Sequence, residues 1–475
     1  MEHERIELEP MTADLTDSAA LIDPTTLTDP VTREDRISAV DVLRGVALLG
    51  ILLINVTSFG LPWDGQRSLV EDPPNSADTI VWFVIDVLFE GKMRALFSML
   101  FGASVILLTE RFERRGEGAL AADIYYRRTL WLLLIGILHG LFLWEGDILS
   151  TYGLAGLVLY PFRKLRGPAL LATGLLVLSM TVPAAMTEAR RLENLRNEAT
   201  EAKIKAAEGA ELTRDERDAL IAWQDALDET HPDEAMVAED LAAHRGGYWD
   251  VFGWRFESIE EFGATDLFDA IGMMLIGMGL LKLGVLSASR SKTFYTMLAI
   301  GGLALGLPLH LLATWADYRD GFDPIQMTWW LMTYDPGRLP MALAYLAMVM
   351  LIVQAQVLRR LTASLAAVGR TALSNYLATT LICTTFFYGY GFGLYGSLSR
   401  YQLYFVVLAV WAVQLVISPI WLHYFLYGPA EWAWRSLTYW ELQPLKRDNA
   451  SPSPAGRGPI LFGTFFAHAE VMVSI

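Results

Sequence analysis

The chain has 475 residues, is 53% hydrophobic and carries a formal net charge of −16, with a mean hydropathy of +0.34. Several of its runs exceed the roughly 18 apolar residues that argue for a spanning helix, which excludes an ordinary soluble globule. The acidic balance, with no basic patch outside the membrane-flanking loops, excludes nucleic acid as a partner, and the single cysteine, Cys383, excludes an intrachain disulfide.

Residues 1–36 are polar and acidic, with scattered proline and threonine and no charged-then-apolar leader layout, so they read as a disordered cytoplasmic tail. The N-terminal membrane half, residues 37–187, holds five expected spans at 37–59, 79–109, 130–144, 148–162 and 169–186. Residues 188–264 break this pattern. They are rich in Ala, Glu, Asp and Arg, with almost no apolar stripe before Trp249, and read as an acidic helical arm outside the bilayer, more spacer than catalyst.

The C-terminal membrane half, residues 265–443, adds spans at 267–286, 293–315, 339–357, 365–388 and 401–427. The segment GPAEWAWRSLTYWE follows. It is amphipathic and aromatic and suits an interfacial helix, with Glu431 and Arg435 spaced for an i,i+4 pair. Residues 444–475 form a tail to which no role is assigned. The expected fold is all-α: a polytopic membrane protein of about ten transmembrane helices with one extracytoplasmic helical insertion. Arg111, Arg114, Arg115, Arg127 and Arg128, then Arg163, Lys164 and Arg166, Arg290 and Lys292, and Arg359, Arg360 and Arg370 fall in alternate loops. The positive-inside rule makes those loops cytoplasmic, so both termini are expected inside and the arm outside.

Ionisable groups at membrane depth are expensive and usually face a bundle interior or an aqueous cavity, so they mark the candidate site. Asp41 and Arg44 share a helix face at the start of the first span, with Asn55 further along. The two pair at the interface, or Arg44 offers its fork to a phosphate or carboxylate. In the second span Asp86, Glu90 and Arg94 stand at i, i+4 and i+8, with Lys92 between. They neutralise one another, or Lys92 and Arg94 line a polar cavity on which a helix kinked at Gly91 opens.

His139 lies about 16 Å along a helix that starts near Arg128, close to the midplane of a roughly 30 Å hydrocarbon core. Its unperturbed pKa of about 6.5 suits a general base, and Asp147 is placed to orient the imidazole if the Glu145–Asp147 turn folds back. The bland alternative is an imidazole bonded to a neighbouring helix. No second histidine stands at ligand spacing, so no metal site is expected. Arg370 and Asn375 lie in GRTALSNY at the start of the ninth span, loosely similar to the Arg44 region, which hints at a duplicated half. The glycines of YGYGFGLYG from Tyr388 lack a strand–turn–helix context and read as an outer turn.

Five stretches together resemble the YeiB-like family of bacterial inner-membrane proteins, whose C-terminal half carries a domain of unknown function. They are DVLRGVALLGI from Asp41, KMRALFSMLFG from Lys92, His139 with GDIL from Gly146, GRTALSNY from Gly369, and GPAEWAWR from Gly428. The Asp41/Arg44/Gly45 start and the GDIL turn are also distantly similar to the heparan-glucosaminide N-acetyltransferase group of transmembrane acyltransferases. That resemblance implies transfer of an acyl group from a cytoplasmic acyl-CoA to an acceptor on the other face, with a histidine as base and no covalently bound cofactor.

Carried onto this chain, His139 takes the acceptor's proton and Asp147 orients it, while Arg44, Lys92 and Arg94 hold the anionic donor. Asp41, Asn55, Glu90, Arg370 and Asn375 complete the binding residues. The acceptor is a small or envelope-linked hydroxyl or amine, and the site is a polar midplane cavity formed by spans one to four. Two other functions fit the same residues: a secondary transporter of a small anionic solute, with His139 carrying a proton, and a membrane scaffold or sensor that works through its arm.

Overall fold

The computed structural model of the protein describes residues 38–447 except 66–68, 70–72, 115, 117 and 258–263. The tail at 1–36, and all but 444–447 of the tail at 444–475, lie outside the described residues. Among the described residues there is no strand, only an isolated bridge between Phe425 and Lys446. Lipid offers no hydrogen bonds to a backbone, so long apolar runs satisfy their own amides as helices.

The chain begins with α1 (Ser38–Gly60), α2 (Ala77–Phe89), α3 (Lys92–Glu113), α4 (Gly118–Phe142) and α5 (Leu149–Leu159). Next come α6 (Gly167–Ser179) and α7 (Thr181–Ala207), then the short helices α8 (Arg214–Asp228), α9 (Glu234–Arg245) and α10 (Tyr248–Glu257). The second half has α11 (Ala264–Lys282), α12 (Lys292–Arg319), α13 (Pro324–Ala355), α14 (Arg359–Arg370), α15 (Ala372–Phe387), α16 (Arg400–Tyr424) and α17 (Pro429–Tyr439). Each of the ten expected spans is occupied by helix. Among the described residues six stretches, formed by α1, α2–α3, α6–α7, α12, α13 and α16, are individually long and apolar enough to cross a membrane. The protein is an all-α polytopic membrane protein.

The second span breaks where expected, at Gly91, which takes a φ of 70°, a backbone region that glycine enters without steric penalty. Three other spans depart from the sequence expectation. The fifth does not stop at the bilayer but runs through α7 to Ala207. The ninth divides at Thr371 into α14 and α15. Finally, α13 starts at Pro324, well before the expected residue 339, because Asp323 caps it by accepting from the amides of Ile325 and Gln326, both at 3.0 Å. Pro336 and Pro340 lie inside the helix, where neighbouring membrane helices tolerate them.

The arm is docked rather than detached. Helix α8 folds back on α7, and Leu192, Ala199, Trp223 and Ala226 make a small core with Ile325 of α13. The Trp329 indole donates to Glu193 at 2.9 Å across the same contact. At the start of α8 a hydrogen bond from Lys205 and a capping box with Thr213 hold the Glu216 carboxyl down at about 2. Helices α9 and α10 then cover the end of the bundle remote from the basic loops. Asp240 accepts from the Trp63 amide at 2.9 Å and from the Tyr395 hydroxyl at 3.1 Å, and Arg245 donates to the Tyr395 carbonyl at 2.8 Å.

Helix α1 runs through the core, with Leu43, Ala47 and Val56 fully buried. Close crossings depend on glycine: a methyl at Gly45 would overlap the Leu365 carbonyl of α14, and one at Gly102 of α3 would overlap the Met274 carbonyl of α11. Such approaches are how membrane helices gain van der Waals contact without a hydrophobic drive between them. Gly102→Leu is therefore expected to cost about 1–3 kcal/mol or more, read as a lower unfolding temperature in detergent. Gly301→Leu, at a position with nothing within 4 Å, should leave that temperature unchanged.

Candidate functional site

The break at Gly91 brings charge into the middle of the bundle. Arg94, one turn into α3, reaches Asp266 at 3.2 Å and Asp269 at 3.6 Å on α11. Arg338 of α13 pairs with Asp269 and with Asp335 one turn before it. Its guanidinium lies 4.5 Å from the centroid of Tyr334, whose hydroxyl donates to Glu90 at 3.3 Å. Lys92 is fully buried and donates to the Asp86 carbonyl at 3.0 Å, while the Asp86 carboxylate accepts from Thr314 at 2.6 Å. Low dielectric makes each such charge costly unless paired, so α3, α11 and α13 are held by this network.

A cavity of about 270 Å³ opens beside it, bordered by Asn55, Glu90, Arg94, Asp147, Asp266 and Asp269. A second cavity, of about 200 Å³, lies towards the basic end of the bundle. Arg44, Arg128, Arg370 and Glu431 supply its polar wall, and Phe97, Phe101, Leu132 and Trp434 its apolar wall. Arg44 pairs with Asp41 at 3.2 Å, and Arg128 stacks 3.7 Å from the Trp434 ring. Glu431 accepts from the Leu373 amide at 2.7 Å and from Ser374, while burial pushes its carboxyl up. It thereby caps the first turn of α15, while Arg435, its expected i,i+4 partner, donates to Gln443 at 3.2 Å. Ile51, Ile148 and Tyr152 border both cavities and so form the wall between them.

His139 and Asp147 meet beside this wall. Nδ1 of the imidazole lies 2.8 Å from Asp147 Oδ1, and Nε2 lies 2.9 Å from Thr380 Oγ1 of α15. The other Asp147 oxygen accepts from the Ser150 amide at 2.8 Å, which fixes the carboxylate at the start of α5. The chain Asp–His–Thr is a carboxylate–imidazole–hydroxyl relay by geometry. A third void of about 10 Å³, room for one water, touches Asn55, Trp144 and Thr380.

The structure thus brings the sequence-predicted residues together in two groups. Asn55, Glu90, Arg94 and Asp147 surround the larger cavity; Arg44 and Arg370 line the basic one, with Asp41 behind Arg44. Besides Asp41, three residues face neither cavity. His139 is 2% exposed and lies in the last turn of α4. Lys92 is sealed beneath Asp86. Asn375 donates to Thr371 and Ser418, bracing the break between α14 and α15. Nor do spans one to four suffice, since α11, α14, α15 and α17 contribute walls.

Sequence reasoning passed over Asp266, Asp269, Arg338 and Thr380. Asp269 lies inside the expected sixth span, and the rule that flagged Glu90 applies to it equally. Arg338 falls just before the expected start of the eighth span at 339, and Thr380 carries no charge to reveal it.

Fold and site together define a polytopic helical membrane protein that encloses an ion network and two internal cavities. A family model described as a protein of unknown function (DUF418) matches residues 280–441. The uncharacterized protein YeiB of Escherichia coli (strain K12) is 30% identical over 415 residues, covering 84% of this chain and 95% of YeiB. The uncharacterized protein YxaH of Bacillus subtilis (strain 168) is 29% identical over 426 residues, 86% of this chain and 95% of YxaH. An uncharacterized 39.9 kDa protein from the amylase 3′ region of Bacillus acidopullulyticus is 25% identical over 411 residues, 84% of this chain and 92% of that protein. The chain belongs to the YeiB-like family. No solved structure matches it.

Removing one partner of a buried pair strands the other, at about 3–5 kcal/mol. Arg338→Met should therefore lower the unfolding temperature sharply in detergent. Adding Asp335→Asn should recover part of the loss, because Asp269 keeps Arg94 as a partner. A double variant no more stable than the single would show that the cluster is not what holds these helices.

Proposed function

We propose that the protein is a transmembrane acyltransferase, carrying an acyl group from acyl-CoA in the basic cavity to a hydroxyl or amine acceptor in the larger one. The observation that carries this reading is the pair of dissimilar cavities in series along α1, with Ile51, Ile148 and Tyr152 between them. The protein sits in a bacterial cytoplasmic membrane with its basic end and both termini in the cytoplasm, so the donor cavity faces the acyl-CoA pool. Guanidinium forks at Arg44, Arg128 and Arg370 suit the donor's phosphates, and the aromatic wall suits its acyl chain.

The acceptor is a small or envelope-linked molecule entering from the opposite face. Its oxygen or nitrogen attacks the thioester carbonyl, the bond to sulfur breaks, and coenzyme A leaves as the thiolate. Asp147 borders the acceptor cavity and His139 stands behind it, so the pair takes up the acceptor's proton with His139 sharing the charge. This inverts the order expected from sequence, in which His139 met the acceptor and Asp147 only oriented it.

A secondary transporter is the second reading, favoured by one observation: the helix broken at Gly91 beside a charged network, as in carriers whose discontinuous helices meet the solute. Purified protein given labelled acyl-CoA and an envelope extract should yield labelled acceptor. Asp147→Asn should lower turnover by about 10²–10⁴-fold, the usual contribution of a positioned base. Arg44→Met should raise KM for acyl-CoA with a smaller change in kcat. No labelled product from active-folded protein, together with solute counterflow in sealed vesicles, would replace this reading with the transporter.

A further inference from the structure

We infer that α10 is a membrane-interface helix that seats its aromatic face in a phospholipid surface, and that through it the arm holds the turn carrying Asp147. Tyr248, Trp249, Phe252 and Phe256 fall at i, i+1, i+4 and i+8 and so share one face. Trp249 is 73% exposed and Phe256 62%. The flank beside this face turns inward, with Val251 and Arg255 both at 0% exposure. A helix with one charged-and-buried face and one bare aromatic face is not finished by the protein alone. Bare aromatic rings on an amphipathic helix are what lipid headgroup regions accept.

Continuity with the surface of α4 identifies the occupant. Leu130, Leu134, Ile137, Leu138 and Phe142 are all exposed, at i, i+4, i+7, i+8 and i+12. They form a single apolar stripe along a helix of the membrane bundle, and lipid is what covers such a stripe. Its last member, Phe142, stacks on Phe252 with ring centroids 5.8 Å apart, and Phe252 on Phe256 at 6.3 Å. The Tyr248 hydroxyl also donates to the Phe142 carbonyl at 2.8 Å. The lipid-covered stripe therefore passes without interruption onto α10 at the level where α4 ends.

The buried face of the same helix reaches the candidate site. Arg255 Nε donates to Glu145 at 3.2 Å and its Nη1 to the Leu141 carbonyl at 3.3 Å. Glu145 stands two residues before Asp147. Anchoring α10 in lipid thus fixes the register of the turn from which Asp147 projects.

The test places a nitroxide label at Trp249→Cys or Phe256→Cys in a Cys383→Ala background, with the full chain in phosphatidylcholine–phosphatidylglycerol vesicles. Ile204→Cys and Ile221→Cys, exposed apolar positions on α7 and α8, serve as references. Oxygen, which concentrates in lipid, should relax the labels at 249 and 256 more than a water-soluble nickel chelate does; the order should reverse at 204 and 221. Labels at 249 and 256 that behave like the references would overturn the inference, as would shielding from both reagents, which means a protein covers the face. Unmodified protein guards against misfolded variants: a photoactivated diazirine lipid should mark residues 248–257 and leave 188–228 unmarked. Equal marking, or none on α10, also overturns it.

Discussion

A dry interior allows no charge without a partner, and this constraint organises the bundle. Arg338 is held by Asp269 and Asp335, Asp269 also meets Arg94, and Tyr334 links the cluster to Glu90. These groups come from α3, α11 and α13, which lie far apart in sequence. The break at Gly91 belongs to the same device. A methyl there would overlap the Tyr334 hydroxyl, so the residue that lets the helix turn also admits the ring lying against Arg338. The carbonyl of Asp86, in the last turn of α2, is met by the ammonium of Lys92 from the start of α3, so the interrupted helix repairs itself.

Neutralised charge next to unfilled space is what makes the larger cavity chemically distinctive. Its carboxylates are held rigid by Arg94 and by the Ser150 amide, and so are preorganised rather than mobile. The basic cavity is built on the opposite plan, with long cationic side chains around aromatic rings. Two solvents of opposite character are thereby kept within one bundle, divided by Ile51, Ile148 and Tyr152. His139 contributes from behind: both ring nitrogens are occupied, by Asp147 and by Thr380.

Much of the fold was legible because spanning helices announce themselves by length and apolarity, and all ten expected spans are helical. Boundaries were less legible: α13 starts well before the expected residue 339 and carries Pro336 and Pro340 inside it, since lipid-embedded neighbours forgive what water punishes. The site was half legible. Ionisable residues inside apolar runs led to Asp147, Glu90, Arg94 and His139, yet pairing across helices carries no local mark. Nothing around Asn375 distinguishes a brace at a helix break from a ligand-binding amide, and nothing around Lys92 tells a sealed ammonium from one lining a void. The arm is legible in part: its polar composition describes the exposed faces of α7 and α8, while its docking contacts, Leu192, Ala199 and Trp223 against Ile325 and Asp240 with Arg245 at Tyr395, are too scattered to make a stripe.

The capping of α15 by Glu431 bears on how the protein is made. Chains emerge from the ribosome N-terminus first, and the basic cavity draws on Arg44 near the start and on Glu431 and Trp434 near the finish. Until α17 arrives, the amides of Leu373 and Ser374 have no carboxylate to receive, and the pocket lacks one side. Nascent protein therefore passes through much of its biogenesis with this chamber unassembled, and the last of the described helices is the one that closes it.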